Sequence, residues 1–325
     1  MTNQENPMYD VVIVGGGAAG LSAAQMLGRT RRSVAVVDSG EPRNAPAAGV
    51  HGFLARDGVS PAELLAAGRA EAENYGARIV RGAVVSAAGG LEQGFDVELD
   101  GGERLRGRRL LIATGLVDEL PELQGLRERW GKDVLHCPFC HGWEVRDRVI
   151  GVLGAGPWSV HQSLLFRQWS SNVTLFLNDT VTPTDAELEQ LAARGVKLVA
   201  GPVESLRVAD DALKGVVLAG GPEVAVDALV VGARVHARLD GFAGLGLVAE
   251  PHPMGIGDYL PADAEGATAV PGVWAAGNVT DIKAQVMASA AAAAWTAVVI
   301  NNSLMADEMD GDLRAYREAL ALTGA

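Results

Sequence analysis

Two segments of the chain follow one plan of apolar and polar positions. Val11-Val12-Ile13-Val14 is a continuous apolar run of the kind a parallel strand needs when both of its faces are covered. It enters Gly15-Gly16-Gly17-Ala18-Ala19-Gly20, continues as a helical run from Leu21 to Gly28, and resumes as a strand from Ser33 to Val37 that ends at Asp38. The second segment begins at Val149-Ile150-Gly151-Val152-Leu153. It passes through Gly154-Ala155-Gly156-Pro157-Trp158-Ser159, a helix to about Trp169 and a strand from Val173 to Leu177. Strand, glycine-rich turn, helix and strand in that order predict two βαβ units, and with them an α/β fold holding two Rossmann-like dinucleotide-binding domains.

In the first unit each small residue has a mechanical task. Gly15 allows the tight turn, Gly17 lets the backbone approach a pyrophosphate, and Gly20 permits close packing of helix on strand. The helix N-terminus, from Ala18 and Ala19, offers unpaired N–H groups to phosphate, and Asp38 can accept ribose hydroxyls. The second unit keeps the fold signal and alters the ligand signal. Ser159 is small enough for the third glycine position, but the step from Gly15 to Asp38, taken from Gly154, lands on Leu177. Asn178 and Asp179 follow with no Arg or Lys for the extra phosphate of NADP, and Trp158 places a large ring where a pyrophosphate would pass. Either this site no longer takes NAD(P)H, or it takes NAD through unusual contacts such as the Asp179 carboxylate.

At 325 residues the chain suits two domains, each large enough for its own core. Its 41 glycines and 5% aromatic content fit α/β sheets with tight strand-to-helix turns. A formal charge of −13 argues against nucleic acid, which requires a basic footprint. The basic cluster Arg104, Arg106, Arg108 and Arg109 reads as a solvated face along a strand edge. The first residues, MTNQENPMYD, lack the charged-then-apolar order of a signal peptide. The apolar stretch from Ala284 to Ile300 is alanine-dominated, carries Gln285 and falls short of a membrane span, so it reads as a buried helix. These features predict a cytoplasmic protein without a membrane partner.

Both cysteines lie in one string, Cys137-Pro138-Phe139-Cys140-His141. A disulfide between them encloses too short a loop to stabilise a fold of this size, so such a bridge is there to be made and broken. In reducing cytosol that spacing points to catalysis or sensing. A metal reading would add His136 and His141, but four donors within six consecutive residues cannot readily surround one tetrahedral ion. Inert thiols in a turn are the remaining alternative.

Between the two units a strand, Leu110-Leu111-Ile112, ends in Ala113-Thr114-Gly115, and near the C-terminus stands Gly272-Val273-Trp274-Ala275-Ala276-Gly277-Asn278. The order GxGxxG, ATG, CxxC, a second glycine-rich turn and GVWAAGN resembles the low-molecular-weight thioredoxin reductase family of flavoproteins across essentially the whole chain. The resemblance implies FAD in the first unit, with residues 1–117 and 246–325 forming the FAD domain. Residues 118–245 would be the inserted NAD(P)H-like domain carrying the CxxC, with crossings near Leu120-Pro121 and Pro251-His252-Pro253. It also implies a homodimer, places Gly277 and Asn278 beside the flavin pyrophosphate or ribityl chain, and sets Gln285 and Val286 at the start of a helix whose dipole could favour a reduced flavin.

Where the family has Asp after the second cysteine, this chain has His141. The version Cys-Pro-Phe-Cys-His-Gly-Trp-Glu, and the segment from Pro42-Arg43-Asn44 to His51-Gly52-Phe53, resemble a narrower branch: FAD-dependent dithiol oxidases that close disulfides in small-molecule natural products, such as the gliotoxin and holomycin enzymes. That branch implies a small dithiol as substrate, oxygen as electron acceptor and hydrogen peroxide as product. Cys137 would meet the substrate and Cys140 the flavin, its thiolate favoured if it opens a helix. Histidine suits oxidation because a thiol with a pKa of about 8 to 9 is little ionised at neutral pH and needs a base. His136 is a further candidate without a motif partner. The alternatives are an NAD(P)H-dependent thioredoxin-disulfide reductase and a flavin-linked redox sensor without turnover.

Overall fold

The computed structural model describes residues 7–323; all but the last four residues of the N-terminal string MTNQENPMYD lie outside it. In chain order the first elements are β1 (Met8–Val14), α1 (Ala18–Arg29), β2 (Val34–Asp38), α2 (Pro61–Asn74), β3 (Arg78–Arg81), β4 (Val84–Gly90), β5 (Gly94–Leu99) and β6 (Arg104–Ile112). The chain then crosses through β7 (Leu116–Glu119) into α3 (Leu126–Arg129), β8 (Val134–Leu135), α4 (Pro138–His141), β9 (Val149–Leu153), α5 (Trp158–Phe166), β10 (Asn172–Phe176), α6 (Asp185–Ala193) and β11 (Lys197–Val199). A meander of β12 (Val203–Ala209), β13 (Ala212–Leu218) and β14 (Glu223–Ala225) leads to β15 (Ala228–Val231), and β16 (Arg234–Ala237) returns the chain. The last elements are β17 (Glu250–Pro251), β18 (Asp258–Tyr259), β19 (Val273–Ala275) and α7 (Val286–Thr323).

The chain divides into two compact units. The first comprises residues 1–43, 62–117 and 236–325, and the second residues 44–61 and 118–235. The crossings therefore fall in β7 and β16, earlier than 246 and away from Pro251-His252-Pro253, which belongs to the β17–β18 ribbon of the first unit. The second unit also claims the loop Asn44–Pro61, because that loop is anchored there: a Cβ on Gly131 would lie 2.6 Å from Pro46.

The first unit is built on a seven-stranded sheet of order β3-β2-β1-β6-β5-β4, with β19 also paired to β6. β1, β2, β3, β6 and β19 run parallel, while β4 and β5 form an antiparallel extension. Val11, Val12, Ile13 and Leu111 are fully buried, as two covered faces require. α1 and α7 pack together through Ala19, Ala23, Ala24, Ala293 and Ala297, whose short side chains let the two helices approach closely. α7 extends far beyond Ile300 and buries one stripe only. Trp295 stays 56% exposed, so the expectation of a wholly buried helix is corrected. No helix among the described residues is long and apolar enough to cross a membrane.

β6 is an interior strand, which corrects the basic cluster's placement on an edge. Arg109 is buried and pairs with Asp307 of α7, and Arg108 bridges Asp10 and Glu308. Arg104 and Arg106 pair with Glu98 and Asp96 on the neighbouring strand. The arginines thus tie the C-terminal helix and β5 to the sheet.

The second unit repeats the plan in a five-stranded parallel sheet of order β11-β10-β9-β15-β8. β9 covers the strand expected from the sequence, but α5 stops at Phe166, short of Trp169. A buried ion pair fixes β8: Arg129 of α3 forks onto Asp133 at 2.8 and 2.6 Å, and Asp133 accepts from the Leu213 N–H at 2.8 Å. The flanking Asp133 and Asp211 carboxylates raise the Arg129 pKa further, so this anchor keeps its charge throughout the working range. The cysteine string begins two residues after that anchored strand.

Candidate functional site

The dinucleotide cradle of the first unit is assembled by close approaches that a side chain would prevent. Gly15 has φ +116°, and a Cβ there would lie 2.2 Å from the Ala113 carbonyl oxygen; on Gly20 it would lie 1.8 Å from the Gly15 carbonyl oxygen. The turn between β1 and α1 is thereby drawn against Ala113-Thr114-Gly115 at the end of β6. Gly17, the residue before α1, faces open space, which leaves the helix N-terminus accessible to an anion.

Two hydroxyls in this unit, Thr114 Oγ1 and Ser289 Oγ, are buried without a hydrogen-bond partner, an arrangement that a polar ligand would relieve. Asp38 is mostly buried at the end of β2. It accepts from the Gly40 N–H at 2.8 Å and has Arg69 3.4 Å away. Gly277 packs on α1, where a Cβ would lie 2.8 Å from Ala19, and Ser289 of α7 lies beside it. Ser289 was not among the candidates from sequence; its only signal was its place in the first turn of α7. Asn278 donates its side-chain amide to the Asp281 and Ala284 carbonyls at 3.0 and 2.7 Å, bracing the turn before α7. Gln285 stands just before that helix and Val286 begins it. These residues fit FAD: Asp38 would hold ribose hydroxyls, and the Gly15–Gly20 turn with α1 would hold the pyrophosphate.

The corresponding turn of the second unit carries a hydrogen bond that the first turn lacks. Gly154 N–H donates to the Phe176 carbonyl at 2.7 Å, as Gly15 N–H donates to Val37 at 2.8 Å. Ser159 Oγ, in place of the third glycine, accepts the Ala155 N–H at 3.1 Å, so that one donor of the turn is taken up internally. Asn178, with φ +54°, donates to the Gly154 carbonyl and accepts from the Val203 N–H, so its side chain is spent on the loop after β10. Trp158 begins α5, its ring edge-on to His161.

Cys137 and Cys140 form a disulfide with Cα atoms 5.3 Å apart. Cys137 is the N-cap of the four-residue α4 and Cys140 lies inside it, so the condition set for a helix-start thiolate at Cys140 is not met. The physical reason is Pro138, whose fixed φ and missing N–H suit the first helical position. Gly142 closes α4 against Trp169, where a Cβ would lie 2.7 Å from the indole, and Phe139 leans edge-on against the same ring while 64% exposed.

His141 is half-buried, and both ring nitrogens are buried without a hydrogen-bond partner among the described residues. Burial is the largest influence on this imidazole and pushes its pKa below the ordinary histidine value; His51 and His136 act in the same direction. The Glu144 carboxylate pulls it back up, with a smaller pull from the Cys137 carbonyl, which lies near without reaching hydrogen-bond geometry. His136 is placed differently. Its Nδ1 is 3.2 Å from the Val231 carbonyl oxygen and its ring tilts against Trp130.

His51 enters this group from the loop 44–61. Its Nδ1 is 3.5 Å from Asp57 and its Nε2 3.4 Å from Glu144. The loop holds it by the bridge between Val50 and Val59 and by the Gly52 N–H donating to Asp57 at 2.9 Å. The second unit therefore gathers the Cys137–Cys140 disulfide, the His141 imidazole without a hydrogen-bond partner among the described residues, and the carboxylate-flanked imidazole of His51.

A family model described as pyridine nucleotide-disulphide oxidoreductase matches residues 9–297. A crystal structure of HlmI is similar at 44% identity, with a TM-score of 0.89, over 100% of this chain and 99% of that one. "Thioredoxin reductase tcpT" of Claviceps purpurea (strain 20.1) is 32% identical over 83% of this chain and 86% of its own length. The chain spans 44% of an Arthroderma benhamiae relative named "Probable thioredoxin reductase", at 33% identity.

Proposed function

The chain belongs to the pyridine nucleotide-disulphide oxidoreductase family, and within it we propose an FAD-dependent dithiol oxidase that closes a disulfide in a small molecule, with oxygen as electron acceptor. The observation that carries this reading is His141: an imidazole without a hydrogen-bond partner among the described residues, its pKa lowered chiefly by burial, directly after the Cys137–Cys140 disulfide. A base in that state suits removal of protons from an incoming dithiol.

A substrate thiol loses its proton to His141 and attacks the Cys137 sulfur, breaking the Cys137–Cys140 bond and releasing the Cys140 thiolate. The second substrate thiol then attacks the mixed disulfide, expels Cys137 and leaves as the oxidised product. Two electrons and two protons now rest on the enzyme. When bound, FAD supplies the two-electron acceptor that lets the dithiol close again and oxygen be reduced to peroxide. Phe139 and Trp143, both exposed beside the string, offer apolar surface for the body of a small substrate.

The Ala155 N–H taken up by Ser159, and Leu177 in the place of an acidic residue, support independence from NAD(P)H. A second reading, electron flow from NAD(P)H to a thioredoxin-like protein, has Gly156 in its favour, because that glycine faces open space. The readings part on oxygen uptake. With dithiothreitol as the probe and no NADPH, the FAD-loaded protein is expected to form one peroxide per disulfide. No uptake with dithiothreitol, together with NADPH-dependent reduction of thioredoxin, would favour the second reading.

A further inference from the structure

We propose that the glycine-rich turn of the second unit, with Trp158 and Gln162 of α5, is a subsite for the far end of the dithiol and takes an amide or hydroxyl donor carried there. This rests on reading the Cys137–Cys140 bridge as the place where a dithiol is oxidised. The sheet brings the two places together. β15 lies between β9 and β8, and all three run parallel with their ends level. Val230 pairs with Leu135, the last residue of β8, and Val231 pairs with Leu153, the last residue of β9. The cysteine string and the Gly154 turn therefore leave the same edge of the sheet, two strand spacings or about 10 Å apart. An edge beyond the carboxyl ends of parallel strands is where open α/β sheets hold their ligands.

Side chains mark out the space between. His136, the residue before Cys137, has Nδ1 3.2 Å from the Val231 carbonyl oxygen, and a Cβ on the adjacent Gly232 would lie 3.3 Å from Gln162 Oε1. Gln162 thus reaches the end of the strand that separates the turn from the disulfide. Its Oε1 is buried without a hydrogen-bond partner among the described residues, although the residue as a whole is only half-buried. An acceptor left in that state is costly unless a ligand brings a donor. The pyrophosphate that a glycine-rich turn ordinarily holds has no donor to give, whereas an amide N–H or a hydroxyl does. Room for such a group stands in front of the turn, because a Cβ on Gly156 would meet nothing within 4 Å. Trp158 lies one helical turn before Gln162 on the same face of α5, and its ring, 37% exposed, adds an aromatic surface to that space.

The experiment gives the FAD-loaded protein dihydrolipoamide, whose terminal amide carries N–H donors, and methyl dihydrolipoate, the same chain without a donor. Each rate is referred to that of dithiothreitol, which is too short to reach from the disulfide to the turn. The kcat/KM of the unaltered protein is expected to favour the amide over the ester by about fivefold, the scale of one neutral hydrogen bond, and Gln162→Met is expected to bring that ratio to about one. Gly156→Leu, which fills the open space, is expected to raise KM for both lipoyl substrates relative to dithiothreitol. Oxidation with no preference for the amide, or with a preference that Gln162→Met leaves in place, overturns the subsite while the oxidase reading stands. Calorimetric binding of oxidised lipoamide separates the two readings, since it needs no turnover. If no dithiol is oxidised and Gln162→Met still weakens that binding by about fivefold, the oxidase reading fails and the subsite stands. Loss of NADPH binding in Gly156→Leu, with lipoamide binding unaltered, returns the turn to a nucleotide and overturns the proposal.

Discussion

Cys140→Ser is expected to reduce dithiol oxidation to the uncatalysed background while the protein stays yellow. The cysteines are joined to each other and to nothing else in the described structure, so removing one sulfur leaves no disulfide for a substrate thiolate to attack. Fold and cofactor should survive the change. Cys140 lies in a four-residue helix of the second unit, whereas the Gly15–Gly20 turn and Asp38 belong to the first. The bridge closes so short a loop that its entropic contribution is small beside that of two buried cores. Oxygen electrode traces, with flavin absorbance as the control for loading, check this; undiminished uptake would remove the pair from the chemistry.

His141→Ala is expected to slow turnover by roughly 10²- to 10⁴-fold, the usual scale for losing a general acid or base. The pH profile gives the more specific signature. Burial depresses the His141 pKa, so the ring stays neutral, and able to accept a proton, below the pH at which an ordinary histidine is half charged. Rate in the unaltered protein should therefore persist below about pH 6.5 and fall only as pH drops through the depressed pKa. Without His141 that acid limb disappears, and rate should instead climb toward the substrate thiol pKa of about 8 to 9, where thiolate forms unaided. A profile unchanged by the substitution would assign His141 to structure alone.

Much of the fold was legible because its signals are local. The apolar run of β1, the glycines that follow and Asp38 lie within one βαβ unit, and each acts on its chain neighbours. The bonded cysteine pair was legible for the same reason. What the sequence hid depends on partners far along the chain. Arg109 looked like one of four surface cations, and only the return of α7 over the sheet buries it against Asp307. Ser159 read as a tolerated small residue, whereas its hydroxyl closes the turn it was expected merely to permit. His51 carried a signal that can be stated afterwards: the loop between β2 and α2 is much longer than most strand-to-helix connections, and loops of that length usually carry function. Periodicity could not say which surface it would reach.

The direction of electron flow is the central claim, and anaerobic mixing tests it most directly. The FAD-loaded protein is divided between dithiothreitol, NADPH and NADH in the absence of oxygen, and the visible flavin band is followed. Bleaching by dithiothreitol, with the band unmoved by either nucleotide, is the predicted result. Rapid, stoichiometric bleaching by NADPH or NADH would contradict it, because electrons would then be entering from the nucleotide and not from the dithiol.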